Sequence, residues 1–507
     1  MRYLASSKNS LPRPWAGNVF HKTSTIAPRP VSSYSRLVCL TKVLTRMKKL
    51  ASLLSVLLIA TYGALATPAN AAPSDDPYST LLSLRERARL YDEILSKRVT
   101  QLLPELMQRT QIDMWILISR EYNEDPVIKT LLPANWLQRA RRTTILVITL
   151  EGDNKIGTYA IAPYKVGDLF ERAWDKAIQP DQWQALSDFI ARHDPKQIAV
   201  NQSEIWAHAD GITLTEHRKL MDALPKKYQK RVVSAEPLAV GWLETRIPEE
   251  VSLLKSMVAV AHAIIAEGFS EKVVTPGVTT TDDIVWWFRE KVASLKLDTW
   301  FHPSVSIQRS DAKTFDHESS FTAGYGEQTV IPGDLLHVDF GITYMGLNTD
   351  TQQHAYVLKP GERQPPEYLI NALSKANHLQ DIFTSNFVAG RTGNEVLAMS
   401  LTQAKAQGLQ PTIYTHPLGL HGHAAGTTLG MWDKQGGVPG DGDYPLHLNT
   451  AYSIELNNAI DIEAWDKSIR IMLEEDAFFD NSGVWYFNGR QRALHVIPSQ
   501  STFSHRF

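Results

Sequence analysis

The residues best equipped for chemistry in this chain are carboxylates and imidazoles set inside apolar runs. Asp334-Leu335-Leu336-His337-Val338-Asp339-Phe340 and Gly346-Leu347-Asn348-Thr349-Asp350 flank a segment, Tyr344-Met345-Gly346, that reads as a hairpin turn. With the turn centred between Tyr344 and Met345, Asp339 and Asp350 become cross-strand partners, their Cβ atoms about 5 Å apart. Two carboxylates that close repel unless a cation or a proton lies between them. The plainer alternative puts one Asp in the turn and the other on a solvated face.

Further along, Tyr414-Thr415-His416-Pro417-Leu418-Gly419-Leu420-His421-Gly422-His423 holds three histidines within eight residues. A lone histidine is usually structural, but neutral imidazole is also the commonest nitrogen ligand for metals. Glu455 lies inside Ala451-Tyr452-Ser453-Ile454-Glu455-Leu456, and Glu474, Glu475 and Asp476 lie inside the run from Ile469 to Phe479. Acids in strand interiors need partners, because burying a bare carboxylate is very costly. The order Asp, Asp, His, Glu, Glu supplies four carboxylates and one imidazole, enough for two divalent ions with carboxylates bridging them. Such a site suits metal-assisted hydrolysis, in which a bridging water becomes a hydroxide nucleophile near neutral pH. Oxygen-rich ligation with one imidazole fits Mn, Co or Zn.

Composition narrows the alternatives. One cysteine, Cys39, occurs in 507 residues, so no disulfide framework is expected, and the body offers no thiol nucleophile. The first 74 residues carry ten Lys and Arg and no Asp or Glu, so removing them takes the net charge from −2 to −12. An acidic body disfavours nucleic acid and anionic membranes as partners.

The elements that must position the site follow from patterning. Met47-Lys48-Lys49, the apolar run Leu50–Ala66 and Ala69-Asn70-Ala71 match the three regions of a secretory signal peptide, with cleavage expected after Ala71. An uncleaved anchor is the alternative. Residues 1–46, basic and rich in Ser and Pro, read as an upstream extension from a misassigned start, or else as an organellar transit peptide. Residues 72–246 read as an α/β domain: an amphipathic helix over 82–108 that Pro104 kinks or splits, then apolar strands at 114–118, 144–148 and 198–200. Pro248, with Glu249 and Glu250 behind it, starts a new helix to about Val273, and a second is expected over 281–295. The rest of 247–507 is read as strand-rich. No second segment of membrane-spanning length is expected after the leader, so no stable membrane insertion is expected after cleavage, and the protein is expected to be periplasmic or secreted.

On these residues the sequence from Ile247 to Phe479 resembles the pita-bread metallopeptidases, that is, methionine aminopeptidases, aminopeptidase P and prolidase. The stretch from Ile112 to Pro126 resembles the creatinase-type N-terminal domain of aminopeptidase P and prolidase. The resemblance implies an α/β N-terminal domain followed by an α+β pita-bread catalytic domain, a homodimer, and hydrolysis of N-terminal peptide bonds, Xaa-Pro expected, by two divalent ions. It implies Asp339, Asp350, His416, Glu455 and Glu474 as ligands, with Asp350 and Glu474 bridging and Glu455 also moving protons. His423, seven residues after His416, is implied as the group that stabilises the tetrahedral intermediate, with His421 its competitor. Glu475 competes with Glu474, and His317 is implied as a substrate-facing histidine. Departures from the proline-specific pattern are Thr412 in place of a histidine, Met472 in place of an arginine, with Arg470 two residues earlier on what period 2 makes the same strand face, and Gln352-Gln353-His354 in place of Thr-Arg-Thr. A metal-free binding protein on the same fold, and a peptidase without proline preference, are the competing readings.

Overall fold

In the computed structural model, residues 76–152, 154–311 and 328–499 are described; the leader and His317 lie outside the described residues. Helix α1 (Leu84–Lys97) starts at Ser83, whose hydroxyl accepts from the Glu86 N–H while Glu86 caps back. A wide turn, Arg98–Leu102, joins it to α2 (Leu103–Thr110). The single expected helix is therefore two, and Pro104, which has no N–H to donate, sits just after the altered turn. Arg98 is buried there and bonds the Thr245 carbonyl at 2.8 Å as well as Glu250.

Six strands follow: β1 (Met114–Arg120), β2 (Thr143–Glu151), β3 (Lys155–Ala160), β4 (Glu171–Arg172), β5 (Ile198–Val200) and β6 (Val232–Ser234). They form one sheet in the order β4-β3-β2-β1-β5-β6, with β1, β5 and β6 mutually parallel. The helices between β4 and the second sheet, counting those of eight residues or more, are α3 (Gln182–His193), α4 (Leu214–Ala223), α5 (Glu236–Glu244), α6 (Pro248–Gly268) and α7 (Thr281–Ser294). Helix α6 ends at Gly268, five residues before the expected Val273. A Cβ at Gly268 would meet the Phe288 ring at 2.5 Å, so the chain passes α7 too closely for a longer side chain. By length and apolarity α6 is long enough to cross a membrane, contrary to the expectation that no such segment follows the leader. Its Leu254, Val258, Ala261, Ile264 and Ile265 are instead packed in the core.

The second sheet has nine strands: β7 (Ser304–Gln308), β8 (Leu335–Phe340), β11 (Thr351–Val357), β12 (Gln410–Ile413), β13 (His416–Leu418), β14 (Thr450–Ile462), β15 (Lys467–Asp480), β16 (Gly483–Tyr486) and β17 (His495–Ile497). A small ribbon, β9 (Thr343–Tyr344) and β10 (Leu347–Asn348), lies between β8 and β11. Two helices not anticipated from the sequence, α8 (Glu367–Thr384) and α9 (Gly393–Ala406), join α6 and α7 against this sheet. Strand period 2 sorts the side chains. Val338, Phe340, Ile454, Leu456 and Leu473 join clusters with helix residues such as Val258, Phe288, Phe383 and Leu369. Asp339, Glu455 and Glu474 therefore project from the other face.

Candidate metal centre

The turn between β9 and β10 sets the first two acids. Met345 (φ 51°) and Gly346 (φ 80°) both adopt positive φ, as a two-residue I′ hairpin demands. The turn is thus centred between Met345 and Gly346, one residue later than expected. Asp339 pairs with Gln352, not with Asp350. This shifts the partner by two residues, which preserves the face, so Asp350 stays beside Asp339 just before β11 begins.

One row of the sheet then carries Asp339, Gln352, Glu474 and Glu455 as successive cross-strand neighbours. His416 opens β13 opposite Ser453, two residues before Glu455. Ligand atoms of Asp339, Asp350 and Glu474 lie within 4.8 Å of one another. So do those of His416, Glu455 and Glu474, and those of Asp350, His416 and His423. Asp350, His416 and Glu474 each belong to two of these groups. His421 belongs to none; its ring packs 4.6 Å from that of His208.

The groups fit divalent cations by their unmet needs. Asp339 Oδ1, Asp350 Oδ1 and His416 Nε2 are buried without a hydrogen-bond partner. His416 Nε2 stands 3.6 Å from Glu474, 3.7 Å from Asp350 and 3.9 Å from Glu455, too far for hydrogen bonds and suited to a shared ion. Its Nδ1 lies 3.0 Å from the Pro417 carbonyl, which holds the ring so that Nε2 offers its lone pair. Burial, and then the charge of Glu474, push Asp339, Asp350 and Glu455 well above the usual carboxylate range. Repulsion from His416, and then burial, push His423 down to about 4.

Neutral residues complete the setting, and composition had not singled them out. Gln352 Nε2 donates to Glu455 Oε1 (2.5 Å) and Glu474 Oε2 (2.7 Å), and His337 lies 2.9 Å from its Oε1. Ser453 Oγ donates to Glu474 Oε1 at 2.6 Å, and the Asp350 N–H donates to Asp476. Arg470, on the same strand face as Glu474, reaches the site through an intermediary: it donates to Asn457 Oδ1 (2.7 Å), whose amide donates to the Tyr414 hydroxyl (3.2 Å). Thr412 sits opposite Asn457 on β12, and Met472 is buried with its N–H on His354.

The acids form the floor of a cavity of about 900 Å³. Its walls include Trp300 and Phe301 before β7, Met431 and Trp432 after β13, and Trp206 and His208 from the segment following β5. His423 stands over the floor, its ring 4.6 Å from His416 and 5.0 Å from Trp300.

Sequence comparison agrees with this geometry: the profile of metallopeptidase family M24 matches residues 253–476. That stretch, which holds all five candidate ligands, is what the chain shares with the family. No curated protein gives a significant sequence match. Among solved structures, the X-Pro aminopeptidase from Thermotoga maritima is similar with a TM-score of 0.55 at 16% identity, covering 77% of this chain and 99% of its own. The Xaa-Pro dipeptidase from Bacillus anthracis gives 0.52 at 15%, covering 82% and 100%. The prolidase from Pyrococcus horikoshii gives 0.50 at 13%, covering 78% and 99%. At these identities the likeness is one of fold.

Proposed function

We propose that the protein hydrolyses peptide bonds next to the N-terminus, with proline as the second residue, using two divalent ions held by Asp339, Asp350, His416, Glu455 and Glu474. The observation that carries this is the set of buried, unpartnered ligand atoms on the floor of a cavity large enough for a short peptide. When bound, the ions supply Lewis-acid polarisation and activate water near neutral pH. The chain's own residues do the rest. Gln352 orients Glu455 and Glu474 from one side. Glu455, whose basicity burial raises, is suited to accept a proton and return it to the leaving amine. His423, neutral at pH 7, is placed to donate a hydrogen bond to the oxygen that gains charge. We also assign His317 to the substrate side, on the resemblance.

A peptidase without proline preference is the second reading, favoured by Thr412 and Met472, which leave two positions of the proline-specific pattern unfilled. The test is a peptidase assay on the metal-stripped protein given Mn, Co or Zn, comparing Xaa-Pro di- and tripeptides with alanine counterparts. Metal-dependent cleavage of proline peptides alone supports the first reading; cleavage of both supports the second. No cleavage with any metal would leave a metal-free binding protein. We further propose division of the body at 246/247, a homodimer, and export through the 47–71 segment; the last predicts mature protein beginning at Ala72.

A further inference from the structure

One wall of the cavity comes from the segment after β5 and takes no part in holding metal. Ile205, Trp206, Ala207 and His208 line it there. The segment is fixed in place. Ser203 Oγ accepts from the N–H groups of Ile205 (3.0 Å) and Trp206 (2.8 Å) and donates to Glu236, and Trp206 Nε1 donates to the Gly426 carbonyl at 3.3 Å. A helical turn, Ala207–Ala209, follows. His208 is half-buried, lines the cavity and forms no hydrogen bond among the described residues. Its ring rests 4.6 Å from that of His421, whose Nδ1 is buried without a partner.

A cation stands beside this pair. The turn Pro126–Lys129 packs against Ala207–Ala209, and Lys129, half-buried, forms no ion pair among the described residues. Asp125, which opens that turn, is taken up by the Val127 and Ile128 N–H groups and the Asn201 amide. Burial, and then repulsion from His208, Lys129 and Arg246, push His421 down to about 3. Arg246 is matched by Glu250 at 2.9 Å; Lys129 has no such match. The corner thus offers an imidazole that can donate into the cavity and a positive charge left over beside it, both suited to an anion.

We propose that this corner binds the C-terminal carboxylate of a short peptide, His208 donating to it and Lys129 supplying the field. This rests on the peptidase reading above. The floor carboxylates repel that end of the peptide, so it is held best by a donor away from them. His302, the other cavity histidine that stands apart from the floor, is exposed and already engaged by Arg289 at 3.1 Å.

The experiment measures kcat and KM on Ala-Pro and Ala-Pro-Ala, each as free acid and as C-terminal amide, with alanine-second counterparts in parallel. The full chain is compared with its H208A, H208Q, K129M and H302A variants. The expected result is a KM about 10- to 100-fold lower for the acid than for the amide at one of the two lengths, the ordinary worth of a hydrogen bond to a charged group. H208A should bring that ratio near one, H208Q, which keeps an N–H donor, should restore part of it, and K129M should shrink it by a smaller factor. Equal KM for acid and amide at both lengths, H208A lowering activity on acid and amide alike, or loss of the ratio in H302A instead would each overturn the proposal while leaving the peptidase reading intact. If no peptide is cleaved with any metal, the peptidase reading fails. Calorimetric binding of the same peptides then decides: tighter binding of the acid, lost in H208A, supports the carboxylate corner, and equal binding overturns it.

Discussion

Glu474 and Glu475 are adjacent, both 1% exposed, and face opposite sides of one strand. The back-face acid is satisfied by protein alone: Gln353 Nε2 donates at 3.0 Å, the Gln491 N–H at 2.9 Å, and His262 Nε2 stands at 2.8 Å. The front-face acid has Ser453 and Gln352 as donors, yet shares its space with three other carboxylates and an imidazole, of which Asp339 Oδ1, Asp350 Oδ1 and His416 Nε2 lack partners. A buried acid with a full set of donors is part of the scaffold. A group of buried acids with too few donors is incomplete without a cation. The contrast supports Glu474 over Glu475 as the ligand, the choice that the resemblance implied.

The strongest attempt to break this contrast is to remove a front-face ligand. Asp350→Ala and Glu455→Ala should each lower kcat/KM on the order of a thousandfold or more, as loss of a member of a cooperating catalytic set does. Bound metal, measured by elemental analysis, should fall with it. Full activity in either variant would refute the ligand assignment. Gln352→Ala, which keeps every ligand, should weaken metal affinity by about 10- to 100-fold, the usual cost of losing a group that orients ligands. A competitive chelator titration reads this directly.

On the back face the expected effect is on stability. Glu475→Ala leaves buried donors of Gln353 and Gln491 unpaired and should cost about 2–4 kcal/mol in urea unfolding, with or without metal. Asp350→Asn, which relieves like-charge crowding, should leave the metal-free protein as stable or more so. If both substitutions destabilised the metal-free protein equally, the front-face acids would be scaffold as well.

The two faces should also respond differently to pH. Asp339, Asp350 and Glu455 hold their protons more tightly folded than unfolded. Their contribution to metal-free stability is therefore greatest at low pH, and falls as pH rises above the unfolded carboxylate values of about 4 toward the raised folded values. Metal binding needs these groups deprotonated, so the increment in Tm on adding metal should grow over the same window. Thermal scans from pH 5 to 8 with and without metal test both slopes. An increment that shrinks with pH would contradict the shared front-face site.

How far the sequence could carry this comparison depended on residue type. Charged residues inside apolar runs were visible because burial makes them costly, so the acids could be noticed before any geometry, while the choice of His416 and Glu474 came from the family resemblance. Ser453 was not noticed, and Gln352 was noticed only as a departure from the proline-specific pattern, because a neutral polar residue in a strand carries no such signal. The approach of Trp206, His208 and Trp300 to the cavity depends on tertiary packing. The strands β1, β2 and β5 were legible as compact apolar runs. Helices α8 and α9 were missed amid strand patterns, although Thr392 and Glu395 form a capping box at the start of α9. The register of Asp339 and Asp350 was misplaced because the turn centre rests on which residues take positive φ, and Met at the first such position is uncommon.

That turn supplies the smallest predicted effect and separates the cost of folding from the cost of losing metal. Gly346 sits at φ 80°, where a Cβ is strained, and a Cβ there would lie 3.4 Å from the Tyr91 ring, an ordinary contact. Gly346→Ala should therefore cost about 1 kcal/mol through the backbone alone. The cost should be the same in the metal-free and metal-loaded protein, because the turn lies beyond the ligands and its register is also held by the β8–β11 ladder. A larger loss in the loaded protein would mean that the turn sets the spacing of Asp339 and Asp350 directly, and that the front-face geometry is held more loosely than the back-face network around Glu475.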